Sequence, residues 1–165
     1  MQGAPRRLAV AAALGLASGS AAADDLYLEY THTPFYAPAD SAVEADVHGH
    51  ALGLGAYLEP EVRVGIHHEQ LEGNFRAQIR GISADYELLG SPGWAGRAGV
   101  MLGSHSGGLE SGPVGDLYAG VAMRGMGQAA VEARLAYRHM PDDALAELAD
   151  ETSGVYLSLG FSLHL

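Results

Sequence analysis

The sequence predicts an all-β fold: an eight-stranded antiparallel up-and-down transmembrane β-barrel with short periplasmic turns and longer external loops. Three observations predict it. Apolar residues alternate with period 2 in eight successive segments after residue 24, the signature of strands rather than helices. The connections between those segments alternate between tight and long, as in bacterial outer-membrane barrels. The chain also opens on an export segment. Arg6 and Arg7 form a short basic region, Leu8–Ala17 is an apolar run, Ser18-Gly19-Ser20 breaks it, and Ala21-Ala22-Ala23 supplies an A-x-A cleavage site before Asp24. That is a secretory signal peptide; its apolar run is too short for a spanning helix, which needs roughly 20 residues. Cleavage after residue 23 leaves 142 of the 165 residues, a barrel over 24–165 and enough for one domain.

Each strand follows from its alternation. Strand 1 (about 25–32) sets Leu26, Leu28 and Tyr30 against Tyr27, Glu29 and Thr31. Strand 2 (46–58) sets Leu52, Leu54, Ala56 and Leu58 against Ala51, Gly53, Gly55 and Tyr57. Strand 3 (62–69) sets Val62, Val64 and Ile66 against Arg63, Gly65 and His67. Strand 4 (77–89) sets Ile82, Ala84, Tyr86 and Leu88 against Ser83, Asp85 and Glu87. Strand 5 (94–104) sets Trp94, Ala98, Val100 and Leu102 against Arg97, Gly99 and Met101. Strand 6 (114–124) sets Leu117, Ala119, Val121 and Met123 against Asp116, Tyr118, Gly120 and Arg124. Strand 7 (129–139) sets Val131, Ala133, Leu135 and Tyr137 against Glu132, Arg134, Ala136 and Arg138.

The last strand is the clearest. Val155, Leu157, Leu159, Phe161, Leu163 and Leu165 share one face; Tyr156, Ser158, Gly160, Ser162 and His164 share the other. Leu157, Leu159, Phe161, Leu163 and Leu165 resemble the C-terminal insertion signal of outer-membrane proteins, with Leu165 where an aromatic residue usually ends it. Glu59-Pro60-Glu61, Gly90-Ser91-Pro92-Gly93 and Gly125-Met126-Gly127-Gln128 are tight turns built on Gly and Pro. The long links fall at about 33–45, 70–76, 105–113 and 140–152. The last is acidic, with Asp142, Asp143, Glu147, Asp150 and Glu151, and has room for one helical turn.

Composition narrows the function. There is no Cys, hence no disulfide, lipoprotein anchor or thiolate metal site. There is no Lys either, and loss of Arg6 and Arg7 takes the net charge from −11 to −13. Such acidity excludes nucleic acid, whose phosphates require cationic contacts. It suits a surface bathed in divalent cations or high salt.

Alternation alone leaves open which face looks outward, since a soluble lipocalin-type barrel buries its Leu and Val. The polar face is mostly Gly, Ser, Ala and Tyr, thin for a solvated surface and suited to the tight interior of eight strands. Its central charges also balance: Glu29, Asp85, Glu87, Asp116 and Glu132 against Arg63, Arg97, Arg124, Arg134 and Arg138. Buried charge is costly unless paired, so a neutral set reads as a salt-bridge network in a closed lumen. Counting back from the turns places Asp85 opposite Arg97 and Asp116 opposite Arg138, favourable cross-strand neighbours. At the strand ends Glu69 joins the polar face, while Asp46 and Arg80 break the apolar one.

Leu135-Ala136-Tyr137-Arg138-His139, an acidic loop, and then Gly154-Val155-Tyr156-Leu157-Ser158-Leu159-Gly160-Phe161 resemble the YfaZ-type and related small outer-membrane proteins. His50-Ala51-Leu52-Gly53-Leu54-Gly55-Ala56-Tyr57 is similar to strands of such barrels. The resemblance implies the architecture and carries no established activity.

Histidine is the unusual feature. His32, His48, His50, His67, His68, His105 and His139 map to the external strand ends, with only His164 at the other end. They suit an interfacial belt at headgroup depth, with a divalent-metal site as the alternative. Ser104-His105-Ser106 invites a hydrolase reading, with Glu110 the one acid nearby, but adjacent side chains on a strand point oppositely. A diffusion pore is excluded by the narrowness of eight strands.

The sequence therefore points to a small, monomeric integral outer-membrane barrel of a Gram-negative bacterium, with a structural or surface-interaction role. Its expected partners are outer-membrane lipids, lipopolysaccharide and the barrel-insertion machinery, and no cofactor is called for. The alternatives are a lipid-modifying or hydrolytic enzyme and a soluble periplasmic ligand-binding barrel.

Overall fold

A period-2 pattern has two faces only when the chain is extended and pleated, and eight such segments with no free edge must close on themselves. The computed structural model, which describes residues 26–38, 46–73, 76–107, 111–125, 128–140 and 153–165, has that form. The strands are β1 (Leu26–Pro38), β2 (Val47–Glu59), β3 (Val62–Gly73), β4 (Ala77–Ser91), β5 (Trp94–Ser106), β6 (Gly112–Arg124), β7 (Ala129–His139) and β8 (Gly154–His164). They form one closed barrel in sequence order, each antiparallel to the next, with β1 completing the ring against β8. The described residues contain no helix. The expected signal peptide (1–23) and the helical turn in the acidic fourth link lie outside the described residues.

Three connections are tight: Pro60–Glu61, Pro92–Gly93 and residues 125–128. They define the turn end of the barrel, and the other four connections the loop end. Strands run further at the loop end than the sequence suggests. β1 continues to Pro38 instead of stopping near 32, and β3 continues to Gly73 instead of 69. Pro34 reads as a strand breaker, but here it falls between His32 and Phe35, where the register against β8 shifts. A bulge is where a residue without an N–H does least harm to a ladder.

The faces divide as the alternation requires. Leu52, Leu54, Ile66, Leu102, Leu117 and Val131 point outward, with Leu102 68% and Leu117 64% exposed. Arg63 (1%) and Arg138 (0%) lie inside. The small interior residues are needed for space. Gly55 and Gly65 face each other across β2 and β3, and the Tyr27 ring lies over both. A Cβ on Gly55 would sit 2.1 Å from the Val64 carbonyl oxygen and 2.7 Å from that ring. Toward the loop end the interior turns apolar, with Tyr36, Val47, Leu71, Ile79, Val114 and Met140 packed in one cluster.

Candidate functional site

The interior of the barrel holds the candidate site, because strand parity brings charged side chains from β1, β3, β4, β5, β6, β7 into one narrow space. It contains two ionic centres. The one nearer the turn end is organised by Glu132 on β7. Arg63 Nη1 donates to its Oε1 at 3.1 Å, Arg97 Nη1 to the same atom at 2.7 Å, and Arg134 Nη2 to Oε2 at 2.5 Å. The Ser162 hydroxyl adds a hydrogen bond at 3.0 Å. Glu29 pairs with Arg134 and lies 3.6 Å from Arg63. Arg63 Nε donates to Asp85 Oδ1 at 2.8 Å, and the Tyr118 hydroxyl to Asp85 Oδ2 at 3.2 Å.

The second centre, nearer the loop end, is built on Arg138. It grips Asp116 through Nε and Nη2 at 2.8 and 2.7 Å, and Nη2 also donates to Glu69 Oε2 at 2.5 Å. The Tyr156 hydroxyl donates to Asp116 at 2.8 Å, and the Arg138 guanidinium lies 4.6 Å from the centroid of the Tyr156 ring. Arg63 and Arg134 stack similarly on Tyr27 and Tyr118, at 4.8 and 5.3 Å. Cation–π contact of this kind is stronger where water is excluded.

At the turn-end mouth Arg124 Nη2 contacts both oxygens of Glu87 at 2.7 Å, and Arg97 lies 3.7 Å from Glu87. This pair is partly exposed, unlike the two centres above it.

Register corrects one expected pair. Asp85 faces Gly99, not Arg97; Glu87 faces Arg97. The cause is the position of the turn: the hairpin closes on Pro92–Gly93 with Ser91 facing Trp94, further along the chain than the count assumes, and the shift between Glu87 and Leu89 takes back only one residue of that difference. Asp85 instead faces Arg63 across β3–β4. Asp116 faces Arg138 across β6–β7. Glu69, left outside the counted set at its strand end, is a full member. Among the described residues the interior thus has six carboxylates (Glu29, Glu69, Asp85, Glu87, Asp116, Glu132) against five guanidiniums, with His67 Nε2 3.7 Å from Glu69.

Between the centres lies a cavity of about 30 Å³ lined by Glu29, Glu69, Asp85, Asp116, Arg134 and Ser158 among others. A water needs about 10–15 Å³ by this measure, so the space suits a couple of waters. Arg138 Nη1 and His105 Nε2 are buried beyond it with no hydrogen-bond partner among the described residues.

The histidines separate into two sets. His32, His48, His50, His68 and His139 lie on the outward face, but His67 and His105 have interior parity, so the belt reading does not hold for those two. His105 is 2% exposed while Ser104 and Ser106 are exposed on the opposite face, so the tripeptide assembles no nucleophile–base pair. Among the described residues no three His or acidic side chains are placed to hold one metal ion. Leu157, Leu159, Phe161, Leu163 and Leu165 all lie along the outer face of β8 and its end.

Solved structures share this architecture. Neisserial surface protein A aligns with a TM-score of 0.69 at 14% identity, over 85% of this chain and 97% of that one. The N-terminal β-barrel domain of Pseudomonas aeruginosa OprF aligns at 0.62 and 16% identity, over 85% and 96%. A de novo designed transmembrane β-barrel aligns at 0.55 and 10%, over 86% and 96%. The chain has the fold of small eight-stranded outer-membrane barrels. No protein-family model and no curated protein matches the sequence. At these identities the likeness carries the fold and nothing finer.

Proposed function

We propose that this chain is an integral outer-membrane protein, exported with residues 1–23 removed, with a structural or surface-interaction role and a sealed lumen. One observation carries the reading: a closed barrel with aliphatic side chains outside and ion-paired arginines inside. A water-soluble barrel has the opposite polarity. Strands of 11 to 15 residues meet or exceed the roughly 9–11 that a tilted spanning strand needs. Tyr86 and Trp94 near the turn end, with Phe35 and Tyr137 near the loop end, are exposed and supply aromatic girdles. The outward residues of β8 fit the insertion signal, and the YfaZ-type resemblance adds no activity to this reading. Neither a lipid hydrolase nor a ligand-binding barrel gains an observation: the serines beside His105 face away from it, and the cavity admits little beyond water.

The test is extraction in detergent followed by electrophoresis with and without heating, paired with single-channel recording in planar bilayers. Heat-modifiable migration and no stable conductance are expected. Solubility without detergent refutes the membrane placement, and a stable open-channel current refutes the sealed lumen.

A further inference from the structure

We propose that the outward face of β1–β4 near the loop end binds the phosphate headgroup of an anionic lipid, an inference that rests on the membrane placement above. Register draws a sharp boundary on this face. Leu28, Leu54, Ile66, Ile82 and Leu102 are consecutive cross-strand neighbours and form an unbroken aliphatic row. One pleat nearer the loops the neighbours are Tyr30, Leu52, His68, Arg80 and Ser104. In the pleat beyond, His32 faces His50, and Gln70 faces Gln78. Acyl chains that lie over the first row bring their headgroup to the second and third.

Arg80 supplies the charge. Its described contact is a 3.5 Å hydrogen bond to Gln78 Oε1, whereas the five interior arginines are all ion-paired. A guanidinium with no ion pair among the described residues, beside an aliphatic surface, calls for an anion. The imidazoles around it are ordered. His32 Nδ1 bonds the Gly49 carbonyl at 2.9 Å and its ring stacks on His50 at 4.7 Å. The Tyr30 hydroxyl bonds His50 Nδ1 at 2.6 Å, which leaves Nε2 of His50 for a headgroup oxygen. His68 sits directly opposite Arg80. The outward carboxylates at this end, Glu72 and Asp46, lie further toward the loops, with Glu72 opposite His48. The described outward residues of β6–β8 at the same end include His139 but no arginine, so the pull on an anion is one-sided.

The experiment titrates the folded barrel in non-ionic detergent with phosphatidic acid, a phosphomonoester lipid, or with phosphatidylcholine, and counts retained lipid by native mass spectrometry. Preferential retention of phosphatidic acid is expected. Arg80→Gln should weaken it about five-fold, the worth of one cation at a lipid surface. Arg80→Gln with His68→Gln should weaken it further, and His139→Gln should leave it unchanged. Equal retention of the two lipids, no effect of Arg80→Gln, or equal competition by inorganic phosphate overturns the inference. Each of those results comes from a barrel that still migrates as folded, and so leaves the membrane placement standing. A chain that folds in neither detergent nor bilayer refutes that placement, and this inference with it.

Discussion

Glu132→Gln is the sharpest perturbation of the interior, because three guanidiniums converge on one carboxylate. Gln keeps the shape and one acceptor oxygen for Ser162 but removes the charge. Arg63 retains Asp85 and Glu29, and Arg134 retains Glu29, but Arg97 keeps Glu87 at 3.7 Å and a long 3.5 Å hydrogen bond to the Tyr57 hydroxyl. Glu132 is 3% exposed, so solvent does little to replace it. Removing one partner of a buried pair costs about 3–5 kcal/mol, and the surviving contacts favour the lower end, about 3 kcal/mol. Urea unfolding from phosphatidylcholine vesicles measures this, read by gel migration and by the fluorescence of Trp94, the chain's single tryptophan. Arg97→Met in the Glu132→Gln background should recover part of the loss, with a coupling energy of about 1–3 kcal/mol. A Glu132→Gln barrel within about 0.5 kcal/mol of the parent, at an unchanged m-value, would refute the water-poor network.

Arg124→Gln removes an ion pair of the same chemistry but with the guanidinium 40% exposed; the same titration should register at most about 1 kcal/mol. Gly55→Ala drives a methyl into the Val64 carbonyl and the Tyr27 ring; overpacking should cost about 1–3 kcal/mol, and a neutral result would mean the ring is free to move away. Leu117→Arg places a charge on the outer face, and should cost about 2–4 kcal/mol in vesicles if that site lies near the midplane, and little in a soluble form.

Much of the architecture was legible because alternation carries both strand identity and facing, and the Gly- and Pro-rich turns set the up-down order. Parity alone put Arg63, Asp116 and Arg138 on the interior face. What escaped depends on three-dimensional detail. The β4–β5 hairpin turns on Pro92–Gly93, further along the chain than the count assumed, so counting from the turn assigned Arg97 the wrong partner. Glu69 was read onto the polar face but left out of the charge count as a strand end, whereas β3 continues past it to Gly73; Leu71, read as part of a link, is one of the apolar residues packed at that end. Tyr118 and Tyr156 had interior parity, and asking which interior groups can donate to a carboxylate would have found them. The split among the histidines follows from the same parity, overlooked because all seven cluster at one end of the barrel.

The chain has no cysteine, so a single Cys introduced along β6 carries a unique nitroxide without background. Collision rates with oxygen and with a water-soluble nickel chelate, measured in phosphatidylcholine vesicles, test the facing of the strand directly. Residues 117, 119 and 121 should be accessible to oxygen and shielded from nickel, while 116, 118 and 120 are shielded from both. Strong nickel collisions at 117, 119 and 121 would place the leucines and valines in water and contradict a barrel embedded in lipid.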